Sequence, residues 1–152
     1  MQIKRTVLAV ALIAATGGAA TAQTSCPKPV MKVFRNQQEV PATGAALVPQ
    51  VTLQVSPNPA CAEKVSYQFK DAELTLIRGR RPLLPTKRVS QSSVDLSDMM
   101  KLAQPGDRVY VFVPYKNLMV VSADGKRTPY PVPALTPEQE NGIGFNWPVV
   151  QK

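Results

Sequence analysis

The sequence contains no histidine and only two cysteines, and aromatic residues make up 6% of the chain. The missing histidine removes the commonest general base and the commonest metal ligand. A catalytic pair of serine or cysteine with histidine therefore cannot be built. The sequence predicts a protein without catalytic residues, metal ligands or cofactors.

Acidic residues are also few, with 10 Asp and Glu against 18 Lys and Arg. Two of the close acidic pairs are Asp95 with Asp98 and Glu138 with Glu140. We interpret the first pair as acids favoured at the start of a helix, and the second as part of a solvated loop. A glycosidase-like carboxylate dyad is the less favoured interpretation, so a small hydrolase ranks behind the binding functions.

A long apolar run is found only near the start of the chain. Met1 to Arg5 carries two positive charges, Thr6 to Ala15 is apolar, and Ala20-Thr21-Ala22 has the small residues that precede a cleavage site. This pattern predicts a secretory signal peptide over residues 1–22, followed by one domain over residues 23–152. The run is shorter than the roughly 20 residues that span a bilayer, so we expect no transmembrane segment after cleavage and a periplasmic or secreted protein.

Both cysteines, Cys26 and Cys61, fall in the predicted mature chain. In an oxidising compartment two cysteines without histidine indicate one disulfide, with two buried thiols as the alternative. Closing a ring of about 35 residues would stabilise the fold by roughly 3–4 kcal/mol on the chain-entropy model. The bridge would tie the N-terminal arm to the turn at Asn58-Pro59-Ala60.

The 15 prolines exclude long helices almost everywhere and separate short runs of β-forming residues. Eight runs predict strands, and Asp124-Gly125 predicts a hairpin. The runs are 31–34, 51–55, 65–69, 73–77, 87–90, 108–113, 118–121 and 143–147. Strands of this length with frequent turns predict an all-β, immunoglobulin-like β-sandwich, with an open barrel as the nearest alternative.

One segment favours a helix. Residues 95–103 place apolar side chains at 96, 99, 100 and 103, which is the helical spacing. Asp95 or Ser97 can cap its start, and Pro105-Gly106 ends it. We therefore expect one short helix that connects two strands.

The most distinctive feature is a basic cluster between the predicted strands at 73–77 and 87–90. We call residues 78–88 the basic hairpin, because they hold five cations around two leucines: Arg78, Arg80, Arg81, Lys87 and Arg88, with Leu83 and Leu84. Such a cluster attracts carboxylates, phosphates or an acidic partner, and the leucines suggest contact with a protein. The alternatives are that the charges only protect a solvated sheet edge and that the leucines fold back onto the core.

Nucleic acid is disfavoured as a partner, because the chain is predicted to be exported and aromatic residues do not interleave the cations. The Pro-rich segment Thr128 to Pro133 is expected to form a polyproline-II turn or a proline-broken edge strand.

Three segments in the middle of the chain, 72–83, 94–97 and 103–110, together with the hairpin at 122–126, resemble the carboxy-terminal domain of the gliding-motility protein GldM. The resemblance covers roughly residues 60–135. Its most specific parts are Arg78-Gly-Arg-Arg-Pro82 and Pro105-Gly-Asp-Arg108. Asp107 could bond backbone N–H groups at its turn, or pair with Arg108 or a neighbouring strand.

The resemblance implies a periplasmic β-sandwich of the gliding and type IX secretion machinery of Bacteroidetes-type bacteria, where such domains make protein contacts and dimerise. We read this chain as lacking a retained anchor and preceding periplasmic domains, so an accessory role is expected. The sequence thus predicts a non-catalytic interaction module that binds envelope proteins and that can form a homodimer. The alternative is a cell-surface glycan or anionic lipid-headgroup binder that uses the same cations.

The predicted disulfide can be tested directly. The intact mass of the exported protein should lie two hydrogen masses below that of the reduced chain, because Cys26 and Cys61 are oxidised. Mass spectrometry before and after reduction measures this difference. Labelling of either cysteine by a thiol reagent without denaturant would contradict the bridge.

Overall fold

The computed structural model describes residues 26–151. The predicted signal peptide lies outside the described residues. Within residues 26–151 the chain forms twelve short β-strands, one α-helix and one 3-10 turn. The strands build three antiparallel sheets, which confirms the predicted all-β class and is consistent with a sandwich.

The strands are β1 Val30–Arg35, β2 Gln38–Glu39, β3 Gln50–Ser56, β4 Ser66–Phe69, β5 Ala72–Arg78, β6 Arg81–Pro82, β7 Lys87–Val89, β8 Ser93–Asp95, β9 Arg108–Pro114, β10 Leu118–Val121, β11 Arg127–Pro129 and β12 Gly142–Pro148. The helix α1 spans Ser97–Leu102, and the 3-10 turn spans Tyr115–Asn117. The first sheet has the order β2-β1-β3-β8. The second has the order β12-β9-β5-β6, and β7 also pairs with β5. The third has the order β11-β10-β4.

A single core joins the three sheets, and it follows from the alternating pattern of the strands. Each of β3, β5 and β9 buries every second side chain, because neighbouring residues of a strand point to opposite faces. Leu53, Leu74 and Leu76 are 2% exposed or less. Full burial of such a side chain contributes about 1.5–3 kcal/mol, so these rows hold the sheets together.

All eight runs predicted as strands overlap strands of the structure, and the sequence missed β2, β6 and β8. The remaining strand, β11, overlaps the start of the Pro-rich segment, for which an edge strand was one of the two expectations. The turn between β1 and β2 explains one of the omissions. Arg35 pairs with Gln38, and the two residues between them, Asn36 and Gln37, have φ values of 47° and 65°. Such turns usually contain glycine, so an Asn-Gln pair gives little signal in the sequence.

The predicted helix is shorter than expected at both ends. Asp95 belongs to β8, and helix α1 begins at Ser97. The Asp95 carboxylate accepts hydrogen bonds from the backbone N–H of Ser97 at 2.8 Å and from its hydroxyl at 2.6 Å. Those bonds lower the pKa of Asp95. Neither of the two capping residues proposed from the sequence is the N-cap, which is Leu96 and makes no side-chain cap bond, but Asp95 does bond the first turn through Ser97.

The two cysteines form the predicted disulfide, with their Cα atoms 4.6 Å apart. Cys61 follows the predicted turn, where the backbone N–H of Cys61 donates to the Asn58 carbonyl at 2.9 Å. A disulfide is typical of proteins that fold outside the reducing cytosol. Across residues 26–151, no helix is long and apolar enough to cross a bilayer.

The segment before β3 is fixed to the end of β12. The buried indole of Trp147 donates from Nε1 to the Ala45 carbonyl at 2.8 Å, and the Ala45 N–H donates to the Pro148 carbonyl at 3.1 Å. Gly44 has a φ of 102°, and a Cβ at this position would lie 2.3 Å from the Pro148 oxygen. Glycine is therefore required at position 44 for two reasons: its positive φ, and the close approach of the Pro148 backbone.

Replacing Gly44 with alanine should lower the free energy of unfolding by about 2–5 kcal/mol, because a left-handed conformation and a backbone clash add together. Gly125→Ala is the matched control, since Gly125 has a φ of 83° and a Cβ at this position would meet no atom within 4 Å. Urea unfolding followed by circular dichroism measures both variants. Equal losses for the two would show that the close approach of Pro148 costs nothing.

Candidate functional site

The basic hairpin begins with a tight turn at the end of β5. Arg78 pairs with Arg81 across the two-residue loop Gly79-Arg80, and Gly79 has a φ of 60°. Glycine with positive φ at the first loop position, followed by a residue with negative φ, is the signature of a type II′ hairpin. The turn therefore projects Arg80 and Arg81 together from the outer edge of the second sheet.

Arg78 is drawn away from this cluster by a nearly buried carboxylate. Its Nε donates to Asp107 Oδ1 at 2.8 Å and its Nη2 donates to Oδ2 at 2.9 Å, so the ion pair is bidentate. Nη2 also donates to the carbonyl of Leu102, the last residue of α1, at 3.0 Å. Asp107 is only 3% exposed and also accepts the backbone N–H of Gln104 at 2.8 Å. Arg78 thus joins β5 to the end of α1 and to the turn before β9. Of the partners expected for Asp107 from the sequence, the neighbouring strand and a backbone N–H of its own turn are both found.

The hydrogen bond from Arg78 lowers the pKa of Asp107, and the Gln104 N–H adds to this effect against the opposing influence of burial. The same bond raises the pKa of Arg78. Both groups therefore remain charged, and the pair is a fixed structural element of the hairpin.

The other cations of the hairpin differ in how far they are engaged. Lys87 Nζ donates to the Asp95 carbonyl at 2.6 Å, and Arg88 pairs with Glu73 at 3.2 Å. Arg80 and Arg81 are exposed and form no side-chain hydrogen bond or ion pair with any residue from 26 to 151. Two of the five predicted cations are therefore available to an incoming anion without breaking a contact.

The two leucines fold back in part. Leu83 and Leu84 are half-buried and pack against the core, and the Leu83 N–H donates to the Leu76 carbonyl at 2.8 Å. Leu84 also lines a cavity of about 440 Å³ between the hairpin and α1. We call this cavity the α1 groove; its wall on the helix side is formed by Asp98, Met99, Lys101 and Leu102.

The helix residues of the α1 groove were not recognised as functional candidates in the sequence. Leu102 is 46% exposed, and it lies outside the apolar positions 96, 99, 100 and 103 of the helix. Lys101 pairs with Asp98 at 3.1 Å on the exposed side of the same helix. Single apolar residues are common on protein surfaces, so Leu102 carried no signal of a contact until the structure placed it beside Leu84.

A second group of side chains lies apart from the hairpin, near the disulfide. The ring of Tyr130 stacks on Tyr115 with centroids 5.3 Å apart and meets the edge of Tyr67 at 6.1 Å. Tyr130 and Cys26 line two neighbouring cavities of about 310 and 600 Å³. We call the two cavities together the tyrosine groove. The Pro-rich segment that contains Tyr130 stands out in the sequence, but the tyrosines that surround it do not.

The two acidic pairs have separate surroundings. Glu140 lines the larger cavity and accepts the Tyr110 hydroxyl at 2.9 Å, while Asp98 belongs to the α1 groove. Burial, together with the hydrogen bond to Glu140, raises the pKa of Tyr110 to about 12. In the described part of the chain, no three His, Cys, Asp or Glu residues are grouped so as to hold a metal ion.

The Arg78–Asp107 pair predicts a pH-dependent stability. Asp107→Asn should lower the free energy of unfolding by about 2–3 kcal/mol at neutral pH, because a charged hydrogen-bonding partner is removed from a nearly buried site. The folded-state pKa lies below the unfolded value of about 3.9, so the contribution is complete above that value and is lost as the pH falls through the folded pKa.

Chemical unfolding of both proteins between pH 7 and pH 2 measures the difference. Asp98→Asn is the matched control, since its carboxylate is 75% exposed and its pair with Lys101 should contribute little. A stability difference for Asp107→Asn that stays constant down to pH 2 would contradict the assigned pair.

Comparison with known proteins identifies no relative. No family model, no curated protein and no solved structure matches the chain. The all-β class is therefore established by the strands and sheets themselves. The function has to be inferred from the α1 groove, the basic hairpin and the tyrosine groove.

Proposed function

We propose that the chain is a protein-interaction module of the bacterial cell envelope, and that the basic hairpin and the α1 groove form its contact surface. The observation that carries this proposal is the position of Arg80 and Arg81. They are unpaired within the described residues, and they extend from a turn held beside the end of α1 by Arg78. The free cations belong to the same hairpin as Leu84, which lines the α1 groove, and such a combination of charge and apolar surface is suited to an acidic, amphipathic segment of a protein.

The α1 groove supplies the apolar part of this surface. Leu84 and Met99 line it, and Leu102 at its border leaves 46% of its surface in water. Burying the exposed part of Leu102 against a partner would add affinity, while the arginines would speed association and select acidic partners. Lys87 and Lys101 already have partners on this protein, so they contribute mainly to the surrounding positive potential.

The resemblance to the GldM carboxy-terminal domain leads us to propose an accessory role in the gliding-motility or type IX secretion machinery. Two observations are consistent with this proposal. The two most specific motifs of the resemblance are in contact through Arg78 and Asp107, which lie 29 residues apart in the chain. The disulfide is also consistent with a periplasmic or secreted location.

Reversing both free arginines, in Arg80→Glu with Arg81→Glu, should weaken capture of the envelope partner at least about tenfold at low salt. The difference between wild type and variant should be smaller at high salt. Salt screens the attraction between the arginines and an acidic partner, so the wild type then binds more like the variant. Binding is measured by site-specific photo-crosslinking from position 102, first in the native host to identify the adducts by mass spectrometry and then in envelope extracts of that host at low and high salt.

Two controls make the result specific. Lys116→Glu with Lys126→Glu changes the net charge equally at exposed positions outside the hairpin, and it should leave the adduct at position 102 unchanged. A photo-crosslinker placed at position 116 should give no adduct of the same mass. An equal yield from wild type and the arginine double variant would assign the cations to solvation of the sheet edge. Retention on anionic liposomes or polysaccharide without a protein adduct would favour the lipid or glycan alternative.

A further inference from the structure

The tyrosine groove is independent of the basic hairpin and has the features of a second binding site. Its three tyrosines come from separate parts of the chain: Tyr67 from β4, Tyr115 from the 3-10 turn and Tyr130 from the residue after β11. Tyr67 and Thr128 both pair with Val120 across the third sheet, so this sheet forms the floor of the smaller cavity. The disulfide borders both cavities through Cys26 and limits the movement of the N-terminal arm there.

Tyr115 carries a polar group without a partner. Its side chain is only 4% exposed, and its hydroxyl forms no hydrogen bond with any residue of the described chain. Among the described residues, every fully buried side-chain oxygen or nitrogen atom has a hydrogen-bond partner. Because the Tyr115 hydroxyl has none, it must keep some accessible surface. Because Tyr115 lines the larger cavity, its hydroxyl is available to a molecule bound there.

Further polar groups border the same cavity and are already positioned. The Glu140 carboxylate is held by the Tyr110 hydroxyl at 2.9 Å, which leaves oxygen lone pairs free to accept from a ligand. Gln139 Oε1 accepts the Thr136 N–H at 3.1 Å, so the amide N–H₂ of Gln139 remains as a donor. Lys28 lines the cavity as a cation. The groove therefore combines aromatic walls with both donors and acceptors.

The chemistry of these groups narrows the ligand class. An apolar ligand would leave the Tyr115 hydroxyl buried without a partner, and such a group costs about 1–3 kcal/mol. An anion would be repelled by Glu140 and by Glu63 in the smaller cavity. A cation would be attracted by the same two carboxylates and opposed by Lys28, so choline is the charged ligand against which the site has to be tested. Hydrogen-bond donors and acceptors beside aromatic rings suit a neutral molecule with an apolar face and many hydroxyl groups.

We propose that the tyrosine groove binds a neutral saccharide. The C–H face of a sugar ring packs against tyrosine, and its hydroxyls donate to Glu140 and accept from Lys28, Gln139 and Tyr115. The larger cavity, about 600 Å³, lies within the range of roughly 300–1,000 Å³ that small-molecule sites occupy. This site requires no cation of the basic hairpin, so it can hold a glycan while the hairpin contacts a protein.

The test is titration calorimetry of the exported protein with three probes: chitotriose, cellotriose and maltotriose. At least one should bind with a dissociation constant in the millimolar range or below. Tyr115→Phe should weaken that sugar roughly three- to tenfold, because it removes one hydrogen bond and keeps the stacked ring. Tyr130→Ala should abolish binding, and circular dichroism should show that Tyr115→Phe keeps the wild-type fold.

The hairpin variant Arg80→Glu with Arg81→Glu is the matched control and should bind the sugar as the wild type does. Loss of sugar binding in that control would move the site to the hairpin and overturn the proposal. Three further results would also overturn it. The first is no heat from any of the three sugars at about 10 mM, a concentration above the dissociation constant expected of such a site. The others are an unchanged dissociation constant in Tyr115→Phe and binding of choline in place of the sugars. None of these results bears on capture of a protein at the hairpin, so the two proposals fail separately.

Discussion

The bidentate ion pair between Arg78 and Asp107 is the contact on which the arrangement of the surface depends. It joins the end of β5 to the turn before β9, and through the Leu102 carbonyl it reaches the end of α1. Because Asp107 is 3% exposed, its charge requires a partner, and Arg78 is that partner. The backbone of Asp107 adds a further tie, since its carbonyl accepts the Val149 N–H at 2.8 Å. Strand, helix and C-terminal segment are therefore tied together around one residue, Asp107, and its partner Arg78.

This contact separates the structural cations of the basic hairpin from the free ones. Arg78 is held inward, and the type II′ turn that follows then directs Arg80 and Arg81 outward from the edge of the sheet. The same pair holds the end of α1 beside the hairpin, where Leu84 and Leu102 line one groove. A single buried charge thus determines where the free cations and the exposed apolar surface lie relative to each other.

The two proposed sites use different physical means. The hairpin surface relies on solvated charge beside a shallow apolar groove, which favours fast association and discrimination by charge. The tyrosine groove relies on rigid aromatic rings and polar groups that are already hydrogen-bonded, such as Glu140 through Tyr110. Such preorganisation lowers the cost of binding a small ligand. A module with both could contact a protein and a glycan at the same time.

The sequence by itself determined the β-sheet class. Apolar and polar residues alternate in runs such as 51–55, and frequent prolines prevent long helices; both effects depend only on residues close together in the chain. It also determined that Cys26 and Cys61 were the pair available for a disulfide, since no other cysteine exists. The turn at Asn36-Gln37 and the short strands β2, β6 and β8 escaped prediction, because pairing with a neighbour creates them. Only the tertiary structure decided which arginines are free, since Asp107 lies 29 residues from Arg78. For the same reason it alone brought together Tyr67, Tyr115 and Tyr130: long-range packing, and no local pattern, places side chains from three segments around one groove.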